Sequence, residues 1–282
     1  MKFRIINLII LILPLVIGVA AQTVNRTQFS NLNNKAVPLF VFTYIDPWRD
    51  VYGSDMPEFV LYEDGTVIFN KCREKDNPYS CDFYMSKLSS EEVSQTLNKL
   101  NPESFYSFDD SYSPDSSTIT VSDLSSRLLV MRKPDGTYKK VSTYGGLSGD
   151  KKGYVAENVP IALREIVEFA GSYDNSNNMG VDFEYYEVVI KPHIDDSKKN
   201  FKWSKGLSGL KDPRTIKHTK YGRYSLFVHR SYEKQIARIF NKLRKSQVNE
   251  NKAALLINNQ RWKAEIRLPF PSEEIWLRNF RD

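Results

Sequence analysis

Glu58-Phe59-Val60-Leu61-Tyr62 and Thr66-Val67-Ile68-Phe69-Asn70 stand on either side of Glu63-Asp64-Gly65. Both flanks are rich in aromatic and branched apolar residues, which fit a pleated, half-buried surface. Asp-Gly between two such runs is a strong hairpin signal, because glycine takes the positive φ of a tight turn at no steric cost. Strands joined by so short a turn pair antiparallel. The stretch therefore sets the expectation for the whole chain: sheets assembled from hairpins.

The pattern repeats outward. Residues 39–45, 82–85, 117–121, 128–132 and 138–142 read as further strands, the last two joined through Pro134-Asp135-Gly136. Between them Ser89-Ser90-Glu91-Glu92 is a capping box. Val93, Leu97 and Leu100 continue it as a helical stripe that Pro102 ends. Pro160 opens a second helix with Leu163, Ile166, Val167 and Ala170 on its apolar face and Gly171 at its stop. Residues 174–180 are rich in Asn, Ser and Gly and mark a boundary. Beyond it, 185–190 and 224–228 read as strands, with a long irregular segment over 191–219. Ser231 reads as the cap of a helix striped by Ile236, Ile239, Phe240 and Leu243. A last hairpin pairs 253–257 with 262–268 across 258–261. Pro269-Phe270-Pro271 breaks it, and Ser272 caps a short terminal helix carrying Ile275, Trp276 and Phe280. Hairpins interspersed with isolated helices predict an α+β fold, with mainly antiparallel sheets, a few packing helices and two subdomains. The first spans 38–175 and the second 181–282.

With 41% hydrophobic and 26% charged residues among 282, the chain can bury a sizeable core, which excludes collagen-like and largely disordered classes. Lys2 and Arg4 precede the apolar run 5–21, which ends in Val19-Ala20-Ala21. A basic start, an apolar stretch and small residues form a secretory signal peptide, with cleavage after Ala21. Residues 22–37 then read as a flexible polar leader. Export places Cys72 and Cys81 in an oxidising compartment, where two cysteines across so short a loop are expected to pair. On the chain-entropy account such a bond stabilises by roughly 2–3 kcal/mol.

Charge is the feature that points toward function. Residues 22–178 carry 16 basic and 22 acidic side chains, a net of −6; residues 179–282 carry 22 and 12, a net of +10. The densest piece, 198–245, holds fifteen Lys or Arg against Asp212 and Glu233. Such a cluster concentrates anions around it. The candidate anion-binding residues are Lys198, Lys199, Lys202, Lys205, Lys211, Arg214, Lys217, Lys220 and Arg223. Outside the cytosol the available partners are an anionic envelope component or a membrane surface. Lys234, Arg238 and Lys242 flank the apolar stripe at 236–243, as on a helix lying on an anionic membrane; the same spacing also fits an ordinary core helix. A solvated basic surface, and docking of the acidic region against the basic one, are the competing readings. No helix-turn-helix, RNA-binding or zinc-finger signature accompanies the charge.

Catalytic patterns are weak. His193, His218 and His229 lie outside any His-Glu-x-x-His arrangement, which would place two ligands one helical turn apart. His229, after Leu226-Phe227-Val228, reads as a strand-end structural residue. Asp109–Asp115 alternates oxygen side chains but lacks the mid-loop glycine and closing glutamate of a calcium loop. Gly145–Lys152 lacks the order of a phosphate loop. No cofactor or metal is expected. The segment Ala253-Ala254-Leu255-Leu256-Ile257-Asn258-Asn259-Gln260-Arg261-Trp262, running on through Arg267-Leu268-Pro269-Phe270-Pro271-Ser272-Glu273-Glu274, resembles the ending of some uncharacterised exported bacterial proteins. That resemblance implies a bacterial, exported chain and transfers no site residue. The leading expectation is an exported, non-catalytic binding protein of the cell envelope. The alternative is an envelope hydrolase whose site is assembled only in three dimensions.

Overall fold

The computed structural model describes residues 26–31, 35–47, 51, 54–72, 81–114, 123–147, 155–193, 199–219, 222–250 and 253–273. The chain runs through β1 (Arg26–Phe29), β2 (Pro38–Ile45), β3 (Pro57–Tyr62), β4 (Thr66–Cys72), β5 (Cys81–Lys87), α1 (Ser90–Leu100) and α2 (Pro102–Ser107). It continues through β6 (Ser111–Tyr112), β7 (Ser126–Arg132), β8 (Tyr138–Tyr144), α3 (Ile161–Gly171), β9 (Met179–Phe183) and β10 (Tyr185–Pro192). The last elements are β11 (Lys199–Lys202), β12 (Ile216–His218), β13 (Arg223–His229), α4 (Glu233–Glu250), β14 (Ala253–Ile257) and β15 (Gln260–Arg267).

The Asp64-Gly65 turn closes by local chemistry. The Gly65 N–H donates to the Tyr62 carbonyl at 3.0 Å, and Gly65 takes φ +80°. Asp64 accepts from the Thr66 N–H at 2.9 Å. The resulting register sets Phe59 opposite Phe69 and Val60 opposite Ile68. Successive side chains point to opposite faces. Phe59, Leu61, Val67 and Phe69 therefore join Phe40, Phe42, Leu129 and Met131 in a core that also takes Leu163 and Ile166 of α3. Val60, Tyr62 and Ile68 join Val41, Leu128 and Val130 on the other face. A strand buried on both sides needs apolar residues at nearly every position, which explains the run at 59–62.

Nine strands form one sheet, in the order β1-β9-β5-β4-β3-β2-β7-β8-β6; six form a second, β11-β14-β15-β10-β13-β12. Strands predominate, with helices packed on them, so the α+β class stands. The hairpin expectation fits only in part, because both sheets are mixed: β1 with β9, β6 with β8 and β11 with β14 pair parallel.

Several boundaries move. The leader is not loose throughout: β1 pairs with β9, Phe29 is buried, and Asn31 is buried beside it. The Asn31 amide donates to Tyr185 O at 3.0 Å and Pro269 O at 2.9 Å, and its oxygen accepts from the Tyr185 N–H at 3.2 Å. The change of sheet falls at Glu184 rather than within 174–180, since β9 belongs to the first sheet. Pro102 does not merely end a helix. Asn101 takes φ 47° and its side chain caps α2, where Pro102 occupies the first turn. The segment 191–219 contains β11 and β12. The strand expected at 117–121 and the terminal helix lie outside the described residues.

Gly65 and Gly136 both take positive φ, +80° and +84°. A Cβ at Gly65 would sit 2.5 Å from the Leu88 carbonyl oxygen, whereas at Gly136 the nearest atom is 3.9 Å away, at the end of the Arg132 side chain. Gly136→Ala should therefore cost only the left-handed backbone penalty of about 1–2 kcal/mol. Gly65→Ala should cost clearly more, read as a larger drop in urea midpoint.

Candidate functional site

The register decides where the basic residues go. Lys199 and Lys202 lie on β11 at one edge of the six-stranded sheet; Lys217 lies on β12 at the other. At about 4.8 Å per strand the two edges are roughly 24 Å apart. Lys205, Lys211 and Arg214 sit on the loop between those strands. Lys199, Lys202, Lys205, Lys211 and Lys217 are all exposed. Arg223 is a correction: it lies within β13, is 3% exposed, and does not contribute an open surface charge. Lys198 and Lys220 lie outside the described residues. The seven described candidates do not form one cluster.

The loop folds into a wall. Leu207 enters the core shared with α4. Trp203 Nε1 donates to Ser208 O at 2.9 Å, and Thr215 Oγ1 donates to Gly209 O at 2.8 Å. Arg214 forks onto Asp212 through Nε and Nη2, both at 3.2 Å. These hydrogen bonds hold the Asp212 carboxyl below the usual range. The Arg214 guanidinium also lies 5.3 Å from the Tyr185 ring, whose edge meets His229 at 5.3 Å. Together with Val228, Tyr232 and Asn258 this wall encloses an open cavity of about 440 Å³. Lys211, Arg214 and His229 bring cationic or hydrogen-bonding groups to it, and Asp212 balances one charge.

His229 is committed structurally. Its Nδ1 accepts from the Ser231 N–H at 3.2 Å and so caps the single helical turn 230–232 that leads into α4. The cap is thus His229, with Ser231 inside the turn. In the neutral ring this leaves the proton on Nε2. The stripe Ile236, Ile239, Phe240 and Leu243 is buried against the sheet, while Lys234, Arg238 and Lys242 are exposed. The apolar face of α4 is therefore occupied by the core and is not offered to a membrane.

A buried ionic chain escapes the sequence reading. Arg267 Nη1 donates to Glu187 at 2.5 Å and to Glu273 at 2.7 Å, and Nη2 donates to the second Glu273 oxygen. The Ser225 hydroxyl donates to Glu187 at 2.5 Å and lies 2.8 Å from His218 Nε2. Burial opposes the Arg267 charge, but Glu273 and Glu187 outweigh it and hold the guanidinium protonated. No spacing motif links residues 187, 225 and 267; only strand register does. Among the described residues no group of three or more His, Cys, Asp or Glu side chains is placed to hold a metal.

The register also sets Cys72 opposite Cys81 on β4 and β5. Directly opposed antiparallel residues have Cα atoms about 4.5–5.5 Å apart, within the range a disulfide spans.

The hydrolase alternative calls for a carboxyl of shifted titration lining a cleft; Glu58 is shifted but does not line the cavity described above. Burial pushes the Glu58 carboxyl above the ordinary 4.5, and Arg127 only partly offsets this. An acid with a raised folded-state pKa loses stability as pH rises through that value. Glu58→Gln should therefore be more stable than wild type at neutral pH, and the two should converge below pH 4.5, read as thermal midpoints across pH. No protein-family model, curated protein or solved structure matches this chain.

Proposed function

We propose that the protein is an exported, non-catalytic binding protein whose C-terminal half engages an anionic partner of the cell envelope. The observation that carries this reading is how the charges are deployed. In the basic half, Glu187 and Glu273 are buried on Arg267. Asp182 pairs with Arg26 and Arg230, and Asp212 with Arg214. Five lysines of the basic segment face solvent. The net of +10 in this half is therefore presented outward largely by its solvent-facing lysines. The signal-peptide pattern before Gln22 and the resemblance of the C-terminal segment support export. Cross-strand placement of Cys72 and Cys81 supports a disulfide formed there. The cavity beside Lys211 and Arg214, within the usual size range of small-ligand sites, is a seat for one charged group of the partner.

Attraction of this kind is screened by salt, with a Debye length of about 8–10 Å at physiological strength. The mature protein should co-sediment with phosphatidylglycerol vesicles or with polyanion-coated beads at low salt and release steeply as salt rises. Absence of binding, or binding indifferent to salt, would overturn the proposal.

A further inference from the structure

The cavity of about 440 Å³ is assembled from four stretches of chain: residues 206–214 of the loop, the end of β13, the turn that follows it and the turn between β14 and β15. Its apolar lining comes from Leu207 and Val228, both buried in the core packed under α4. Tyr232 also lines it and is 40% exposed. An exposed aromatic ring beside an apolar floor suits a ligand with one apolar face. The loop wall is fixed in advance by the Trp203 and Thr215 hydrogen bonds to Ser208 and Gly209, so a ligand has little left to order.

The polar lining selects the ligand further. Arg214 and Asp212 are already spent on each other, and Ser208 also binds Asp212. Four other lining groups have no hydrogen-bond or ion-pair partner among the described residues: the Lys211 ammonium, Nε2 of His229, the Asn258 amide and the Tyr232 hydroxyl. All four can donate, and only the Asn258 and Tyr232 oxygens can also accept. A ligand richer in acceptors than in donors satisfies them. Lys211 contributes one uncompensated positive charge, which a single carboxylate matches. A phosphate monoester would bring nearly two negative charges next to the Asp212 carboxylate, where like charges repel.

We infer that this cavity is the subsite for one uronic-acid residue of an acidic glycan. The C–H face of the sugar ring lies on Tyr232, its carboxylate meets Lys211, and its hydroxyls bond to His229 Nε2 and Asn258. The cavity is open, so neighbouring sugars of the chain can extend from it. The inference rests on the anion-binding reading and names the ligand class and its seat.

The probes are trisaccharides of galacturonate, mannuronate and guluronate, titrated calorimetrically against the mature protein, each beside its carboxyl-reduced neutral counterpart. Phosphatidylglycerol vesicles and polyphosphate are titrated in parallel. At least one uronate should bind, and its neutral counterpart should bind about tenfold more weakly. Lys211→Gln and Tyr232→Ala should each weaken that uronate about tenfold. Lys217→Gln, which removes an exposed charge outside the cavity, should change it by no more than about twofold. Lys211 and Tyr232 are both exposed, so the variants should keep the wild-type thermal midpoint, which is checked first. A bound uronate indifferent to either cavity substitution, or to loss of its carboxyl, overturns the subsite and leaves the anion-binding reading standing. Wild type that binds vesicles or polyphosphate but no uronate overturns this inference alone. Wild type that binds none of the probes overturns both.

Discussion

Arg267 holds the C-terminal strap to the rest of the molecule. It ends β15, touches Glu187 on β10, and reaches forward six residues to Glu273. The ion pair thereby closes residues 268–272 into a loop whose apolar centre, Phe270, enters the far face of the nine-stranded sheet. There it packs against Phe83 and Phe183 at ring distances of 5.6 and 5.4 Å. Pro271 O accepts from Tyr62 at 3.4 Å, and Asn31 binds Pro269 O. The strap is thus the cover of one core and the continuation of the other sheet. An uncompensated buried charge costs several kcal/mol, so the cluster tolerates no missing member.

This arrangement bears on function through charge. Burying Glu187 and Glu273 on a single arginine takes two carboxylates off the surface of the basic half and leaves its lysines facing outward. The acidic half makes no comparable withdrawal at Asp64, Asp110 or Asp174, which pair with lysines at the surface. The lysines of the basic half are thus left to present its positive charge outward.

Local signals were legible in the sequence and long-range ones were not. The Asp64-Gly65 turn formed as read. So did the capping box, in which the Ser89 N–H donates to Glu92 at 2.8 Å and the Glu92 N–H to Ser89 at 3.3 Å. Both depend on residues within three positions. β1 was missed because its partner β9 is more than 150 residues away and the pairing is parallel. The burial of Arg223 and the Arg267 cluster depend on strand order and register. A one-residue slip would send each of those side chains to the other face. Among the candidate anion residues, exposure was anticipated at the lysines, but their separation to opposite edges of one sheet was not.

The most direct test is equilibrium urea unfolding of Arg267→Met against wild type, followed by tryptophan fluorescence and by far-UV circular dichroism. In a Trp48→Phe/Trp276→Phe background, used for both proteins, the two remaining tryptophans, Trp203 and Trp262, report on the six-stranded sheet, while circular dichroism reports on both sheets. Coincident transitions in wild type, and a loss of about 3–5 kcal/mol in the variant, are the result expected if the buried charge cluster couples the two sheets. Separate transitions in wild type, or a variant as stable as wild type, would contradict that coupling.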